Sequence, residues 1–227
     1  NHGEFGLPVT NYTLAYAYSD APLGPWTYGG TIIDGRGRET DEAGNPIASA
    51  TVSGNTHGSI CEINGQWYVF YHRQTGLDEF ARQAMVAPIT VKVEDGKVVI
   101  TEGEYNSEGF ALAGLDPLEK YSAGIACWYT GPKVAEHNWP NKIFYGSYVA
   151  SGYGTDDKFE APYALRNNHN PVVNNTDGSI VGYKYFNFTK TTGRKDLKLV
   201  LGIVPEGIDG TITVMADRPW TSQRGIV

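Results

Sequence analysis

Cysteine is scarce in this 227-residue sequence, and its scarcity excludes several kinds of site. The two cysteines, Cys61 and Cys127, lie far apart, each within an apolar segment. Two such residues build neither a disulfide framework nor a cysteine-based zinc site. We therefore expect two buried free thiols, which leave the redox compartment open.

Long apolar runs and an excess of positive charge are also missing. No stretch approaches the roughly 18 consecutive apolar residues of a membrane-spanning helix. Lys and Arg number 18 against 25 Asp and Glu, a formal net charge of −7, which argues against nucleic acid or an anionic membrane as partner. No Gly-rich phosphate loop, His-Glu-x-x-His or Gly-x-Ser-x-Gly motif occurs. Kinase, zinc-protease and serine-hydrolase functions are therefore not supported.

The sequence is instead rich in glycine, with 28 residues, and in tyrosine, with 15. Short alternating segments predict strands at Tyr12–Tyr18 and Trp26–Ile33. Two dipeptides that tolerate positive φ, Asn64-Gly65 and Asp95-Gly96, each predict a tight hairpin. The strands expected to flank these two turns are Ser59–Ile63 with Gln66–Arg73, and Gln83–Val93 with Lys97–Glu102. The pattern predicts an all-β fold, as either a sandwich or the blades of a propeller.

Composition shifts near residues 106–120, where a polar, Gly-bearing stretch leads into Leu115-Asp116-Pro117-Leu118. We place a domain boundary there, so that residues 1–110 form one domain and residues 111–227 a second, predicted to be a β-sandwich. Its expected strands are Gly124–Thr130, Ile143–Ala150, Ile180–Thr189, Leu197–Val204 and Thr211–Ala216. The N-terminus is neither a Met start nor a signal peptide, and an apolar run ends the sequence, so we expect a chain cut at both ends.

Three segments in succession carry a family resemblance. They are Tyr16–Trp26 (YAYSDAPLGPW), Gly54–Ile60 (GNTHGSI) and Gly65–Arg73 (GQWYVFYHR). In this order they resemble the C-terminal blades of glycoside hydrolase family 43, from residue 10 to about residue 105. Asn175–Phe188 (NTDGSIVGYKYFNF) resembles the opening of a family 6-type carbohydrate-binding sandwich. The resemblance implies a partial five-bladed β-propeller, its last blades only, followed by a truncated β-sandwich segment.

The family resemblance also implies a function, namely hydrolysis of arabinose- or xylose-containing plant polysaccharides by inversion. One carboxylate acts as base and another as acid, standing about 6.5 to 9.5 Å apart so that a water fits between them. In the family these acids, with a third that tunes them, lie on the first three blades. We therefore expect the catalytic acids upstream of Asn1, none within this chain, and no hydrolase activity from this chain alone.

Carboxylates within the chain offer no substitute, because none of them forms a recognisable acid pair in the sequence. The candidates are Asp20, Asp34, Glu62, Asp78 and Glu79.

The substrate expected of the whole protein is carbohydrate, and polysaccharides too large to enter a cell imply an extracellular or periplasmic enzyme rather than a cytoplasmic one. The alternative is a non-catalytic carbohydrate-binding or structural β-protein.

Three residues are candidates for the functional site. In the family, the histidine that matches His57 reaches the central channel and helps to hold a metal ion, commonly calcium, largely through water. Because imidazole suits calcium poorly, we expect a water-mediated role, the alternative being a structural histidine at a strand start. Arg73 and Arg82, at the end of one strand and the start of the next, are candidate substrate-binding residues, or else surface or ion-pair residues. His72 is expected on the face opposite Arg73, as a packing or rim residue.

Overall fold

The computed structural model describes residues 13–35, 56–75, 81–130, 137–138, 143–144, 146–150, 170–204, 207, 209–216 and 225–226. Seven strands lie in the described residues before residue 101. They are β1 (Thr13–Tyr18), β2 (Thr27–Asp34), β3 (Gly58–Ile63), β4 (Gln66–Gln74), β5 (Arg82–Ile89), β6 (Val91–Glu94) and β7 (Lys97–Ile100). All their pairings are antiparallel: β1 with β2, β3 with β4, β4 with β5, and β6 with β7.

The remaining strands are short. They are β8 (Trp128–Thr130), β9 (His137–Asn138), β10 (Ile143–Phe144), β11 (Tyr148–Val149), β12 (Val172–Val173), β13 (Ile180–Gly182), β14 (Val214–Met215) and β15 (Gly225–Ile226). Two single-turn 3₁₀ helices, Ala123–Ile125 and Thr189–Thr191, are the helices of the described chain. The all-β prediction is confirmed, while the propeller and the sandwich stay predictions. Among the residues described, no helix is long and apolar enough to cross a membrane.

Both predicted tight turns are present. Asn64 and Gly65 have φ of 51° and 82°, and Asp95 and Gly96 have φ of 50° and 74°. Positive φ at both central residues matches the right-handed twist of the flanking strands, which is why these dipeptides close two-residue hairpins. The expected strand Gln83–Val93 was wrong in one respect, because it is divided at Thr90. Its first part, β5, pairs with β4, whereas its second part, β6, pairs with β7.

Strand predictions in the second half were less accurate. The segment predicted as the strand Leu197–Val204 forms no strand, although six of its side chains are large, apolar and exposed. Gly124–Thr130 begins as the 3₁₀ helix and becomes extended only at β8. Alternation alone identified these segments, and alternation produces a strand only where a neighbouring strand supplies hydrogen bonds.

The main hydrophobic core lies on one face of the β3–β4–β5 sheet. Val69 on β4 and its cross-strand partner Ala87 on β5 are fully buried, as is Ile33 on β2. Cys127, just before β8, packs into the same core. One free thiol, Cys127, is therefore buried as expected, whereas Cys61 on β3 is exposed, contrary to expectation.

Tyr16 connects two of the smaller sheets. Its hydroxyl donates to the carbonyl of Val98 (3.1 Å) and accepts from the Ile100 N–H (3.0 Å), which joins β1 to β7. Opposite Tyr16, the β1–β2 register is irregular, and a Cβ on Gly29 would lie 2.0 Å from the Tyr16 ring. Glycine at position 29 therefore leaves the space that this ring occupies.

Residues on both sides of the predicted domain boundary are in direct contact. The Tyr129 hydroxyl donates to the Gln74 carbonyl (2.9 Å), and the Val149 N–H donates to the Thr75 carbonyl (3.1 Å). With Cys127 in the main core, residues 122–129 pack against β4 and β5. The division at about residue 110 stays a prediction, since packing across a boundary occurs between domains as well as within one.

Candidate functional site

His57 and His72 lie side by side at one end of the β3–β4–β5 sheet. Gly58 pairs with Tyr71, so that His57, one residue before β3, lies across from His72. The His72 N–H donates to the His57 carbonyl at 3.3 Å. The ring centroids are 5.3 Å apart and the ring planes are inclined at 55°. His57 is exposed, whereas His72 is half-buried with its Nε2 shielded from solvent, so His57 is the accessible member of the pair.

Gly58 is what allows the two strands to approach here. A Cβ at this position would lie 2.2 Å from the Phe70 carbonyl oxygen and 2.7 Å from Cδ1 of Leu14. Any other side chain would displace the start of β3, and His57 with it. Position 58 therefore requires glycine because of close packing and not because of its backbone φ.

Arg82 lies on the same face of the sheet as His72. It opens β5 directly opposite Gln74, and Gln74 is two residues from His72 along β4, so the three side chains share one face. Arg82 is exposed. The structure thus brings two predicted site residues, His57 and Arg82, to one end and one face of a sheet, with His72 between them.

Arg73 points to the other face and is 1% exposed. Its Nε and Nη2 donate to Oε1 of Gln83 (3.1 and 2.9 Å), and Nη2 also donates to the backbone carbonyls of Gly124 and Ala126. The guanidinium carbon lies 4.9 Å from the centroid of the Tyr129 ring. These contacts favour a structural role for Arg73, and its predicted contact with substrate stays a prediction that this geometry does not support.

His72 is the residue that sequence reasoning missed. The expected alternation is present, since His72 and Arg73 lie on opposite faces, but the pairing of His72 with His57 was not anticipated. The Asn64-Gly65 turn could have indicated this pairing from the sequence. A two-residue turn at Asn64-Gly65 sets the register of the whole hairpin, and counting outward from it places residue 57 opposite residue 72.

A metal at His57 stays a prediction. The described residues contain no group of three or more His, Cys, Asp or Glu side chains close enough to hold an ion. Two imidazoles and a nearby guanidinium do not fit direct calcium binding, because calcium takes six to eight oxygen ligands. Among the carboxylates considered above, Asp20 and Glu62 are exposed, Asp34 is buried at the end of β2, and Asp78 and Glu79 lie outside the described residues.

A second polar cluster, also missed by sequence reasoning, joins residues 104–108 to residues 184–185. The Glu104 carboxylate accepts from the Tyr185 hydroxyl (2.9 and 2.8 Å) and from Nζ of Lys184 (2.7 Å). Partial burial and the negative charge of Glu104 raise the pKa of Glu108. These residues are about 80 positions apart in sequence, so no local motif could have indicated the cluster.

No family model matches the chain, but proteins named xylosidase/arabinosidase, arabinoxylan arabinofuranohydrolase and β-xylosidase are among those to which it is similar. It is 33% identical over 183 residues to a xylosidase/arabinosidase of Thermoclostridium stercorarium, covering 78% of this chain and 36% of that protein. It is 30% identical over 125 residues to an arabinoxylan arabinofuranohydrolase of Paenibacillus polymyxa, covering 52% and 18%. A β-xylosidase of Xylanibacter ruminicola is 38% identical over 61 residues, covering 27% and 14%. The chain thus spans about a third or less of the length of these relatives.

Proposed function

We propose that this chain is part of a family 43 glycoside hydrolase that acts on arabinose- or xylose-containing plant polysaccharides or oligosaccharides by inversion. The similarity to the xylosidase/arabinosidase of Thermoclostridium stercorarium, which extends over 78% of the chain, carries the proposal. The all-β architecture and the two tight hairpins agree with propeller blades. The catalytic acid and base are proposed to lie outside these 227 residues, and the enzyme is proposed to work outside the cytoplasm, on carbohydrate.

The edge formed by His57, His72 and Arg82 is proposed to face the substrate of that enzyme. The exposed guanidinium of Arg82 donates hydrogen bonds to sugar hydroxyls, and the exposed imidazole of His57, two strands away, holds a water or a water-bound cation. Neither group performs the hydrolysis. Their proposed contribution is to orient the sugar relative to the acid and base, which accelerates a reaction by restricting the geometry of the bound substrate.

The test is pentose release from arabinoxylan by the longer protein that contains this chain. His57→Ala is expected to lower kcat/KM for release of arabinose or xylose by about tenfold or more. Glu62→Gln, an exposed substitution on the other face of β3, is the matched control and should leave activity unchanged. Equal activity of the His57→Ala protein and the wild type would contradict the proposed role of this edge.

The alternative function, carbohydrate binding without catalysis, gives a different result in the same experiment. The longer protein would bind arabinoxylan but release no pentose, with or without His57. The segment Asn175–Phe188 is proposed to belong to an accessory carbohydrate-binding sandwich, and this assignment holds under either function.

A further inference from the structure

The last residues of β4 extend past the beginning of the neighbouring strand β3. The pairing of β3 with β4 begins at Gly58, opposite Tyr71, whereas β4 runs three residues further, to Gln74. On its other side β4 is accompanied to the end by β5, because Gln74 pairs with Arg82. A strand end that extends past its neighbour opens more readily than a strand centre. The position of Arg82 therefore depends on what else holds the end of β4.

Residues from the second half of the chain bind this strand end. The His72 N–H points toward β3, and in a strand the backbone groups of residues two apart point to the same side, so the Gln74 carbonyl faces the side on which β3 has ended. The Tyr129 hydroxyl donates to that carbonyl (2.9 Å). One residue further, the Val149 N–H donates to the Thr75 carbonyl (3.1 Å). Tyr129 and Val149 thus support β4 beyond the start of β3.

The residues before and after Arg82 are held by the same part of the structure. Before it, the Ala81 carbonyl accepts from the Thr75 N–H (3.0 Å) and from the Thr75 hydroxyl (3.3 Å). After it, the Gln83 amide nitrogen donates to the Gly124 carbonyl (2.8 Å). Arg82 itself is exposed. Its backbone is therefore fixed on both sides, while its side chain is accessible.

The chemistry proposed for Arg82 requires this fixation. A guanidinium that donates to sugar hydroxyls has to present its N–H groups at hydrogen-bond distance and in the right direction. A misplacement of about 1 Å by a residue remote from the chemistry can cost up to about 100-fold in rate. Because Arg82 has a long side chain, a small rotation of its backbone displaces the guanidinium further than the backbone itself.

We propose that Tyr129 is a positioning residue for Arg82, which acts through the Gln74 carbonyl. The inference rests on the function proposed above, since that function gives Arg82 its contact with the sugar. Tyr129 is 2% exposed, too buried to touch the substrate itself. Residues 122–149, which follow the predicted boundary at about residue 110, thereby take part in the substrate-facing edge.

The experiment is steady-state kinetics of pentose release from arabinoxylan by the longer protein that contains this chain. Tyr129→Phe is expected to raise KM about threefold or more, because Arg82 is misplaced in every molecule. A merely structural role gives a different result, since unfolding of a fraction of the molecules lowers the apparent kcat and leaves KM unchanged. Tyr16→Phe is the matched control. It also removes a hydroxyl with two backbone hydrogen bonds, but these join β1 to β7, and KM should stay at the wild-type value.

The same measurement in Arg82→Ala protein tests whether Tyr129 acts through Arg82. There Tyr129→Phe should raise KM no further, because the side chain that Tyr129 positions is gone. An unchanged KM in Tyr129→Phe alone, or an equal rise with and without Arg82, overturns the proposal.

Absence of pentose release by the wild-type longer protein would instead overturn the proposed function. Hydrogen–deuterium exchange of the same protein then decides the positioning by itself. Tyr129→Phe should speed exchange of the amides of Arg82 and Gln83 about threefold or more, while Tyr16→Phe leaves them unchanged. Unchanged exchange of these two amides in Tyr129→Phe would overturn the positioning role.

Discussion

Arg73 and Gln83 face each other across β4 and β5, and the guanidinium of Arg73 donates two hydrogen bonds to the single side-chain oxygen of Gln83. The Gln83 amide nitrogen in turn donates to the Gly124 carbonyl (2.8 Å), which Arg73 also contacts. This buried network attaches residues 122–126 to the sheet that carries His57. The contact explains why an arginine at the end of a strand is buried in this protein and does not reach solvent.

Arg73→Met should lower the free energy of unfolding by about 3 kcal/mol or more. The substitution keeps much of the side-chain volume but removes the Arg73 donors from the side-chain oxygen of Gln83 and from the buried Ala126 carbonyl, while the Gly124 carbonyl keeps its hydrogen bond from the Gln83 amide. Arg82→Met is the matched control on the neighbouring strand, and because Arg82 is exposed we expect a change within about 0.5 kcal/mol. Urea denaturation followed by tryptophan fluorescence measures both. Equal effects of the two substitutions would contradict the buried network.

Tyr71→Phe and Tyr129→Phe should differ in their effects on stability, and only Tyr129→Phe should lower it. In the described structure the Tyr71 hydroxyl is buried and makes no hydrogen bond, whereas the Tyr129 hydroxyl donates to the Gln74 carbonyl. Removing the unpaired hydroxyl should leave stability unchanged or raise it by up to about 1 kcal/mol. Removing the paired one should cost about 1 kcal/mol and leave the Gln74 carbonyl with one partner fewer. A loss of stability in Tyr71→Phe would show that its hydroxyl has a partner, such as an internal water.

Stability should fall as the solution becomes alkaline. Burial raises the pKa of Tyr71 well above its ordinary value, and burial also raises the pKa values of Tyr129 and Cys127. These groups keep their protons in the folded protein at a pH where the unfolded chain has lost them. The stabilisation is therefore complete below about pH 8 and is lost as the pH rises through about 9 to 11. Urea unfolding across this range measures the slope, which Tyr71→Phe should reduce above about pH 10. An unchanged slope would argue against burial of the Tyr71 hydroxyl.

The Asn64-Gly65 turn should be sensitive to substitution for a backbone reason alone. Gly65 has a φ of 82°, and a Cβ added there would touch nothing within 4 Å. Gly65→Ala should therefore cost about 1 kcal/mol through left-handed backbone strain. Gly202→Ala, also in open space but at an ordinary φ, should be neutral or slightly stabilising. Thermal unfolding of both variants tests the difference, and equal melting temperatures would be inconsistent with the positive φ at Gly65.

Turn chemistry made the first hundred residues the more predictable part of this protein. Asn64-Gly65 and Asp95-Gly96 require a backbone conformation that few other residue pairs tolerate, so the hairpins followed from local sequence. The Leu197–Val204 segment offered only an apolar run with no turn to pair it, and the strand predicted there is absent. Similarly, the His57–His72 pair follows from the turn by counting, whereas the Glu104–Tyr185 contact joins residues 81 positions apart and follows from no local rule.

The sequence by itself determined the all-β class, the two hairpins and the alternation that separates His72 from Arg73, because these depend on local backbone preferences and on the two-residue period of a strand. Only the tertiary structure decided which side of the sheet became the interior. That choice buried Arg73 against residues 122–126 and left Arg82 exposed beside the histidines. It also brought Glu104 into contact with Lys184 and Tyr185 from two distant segments, since the energetics of burial and long-range hydrogen bonding depend on the whole fold and not on neighbours in sequence.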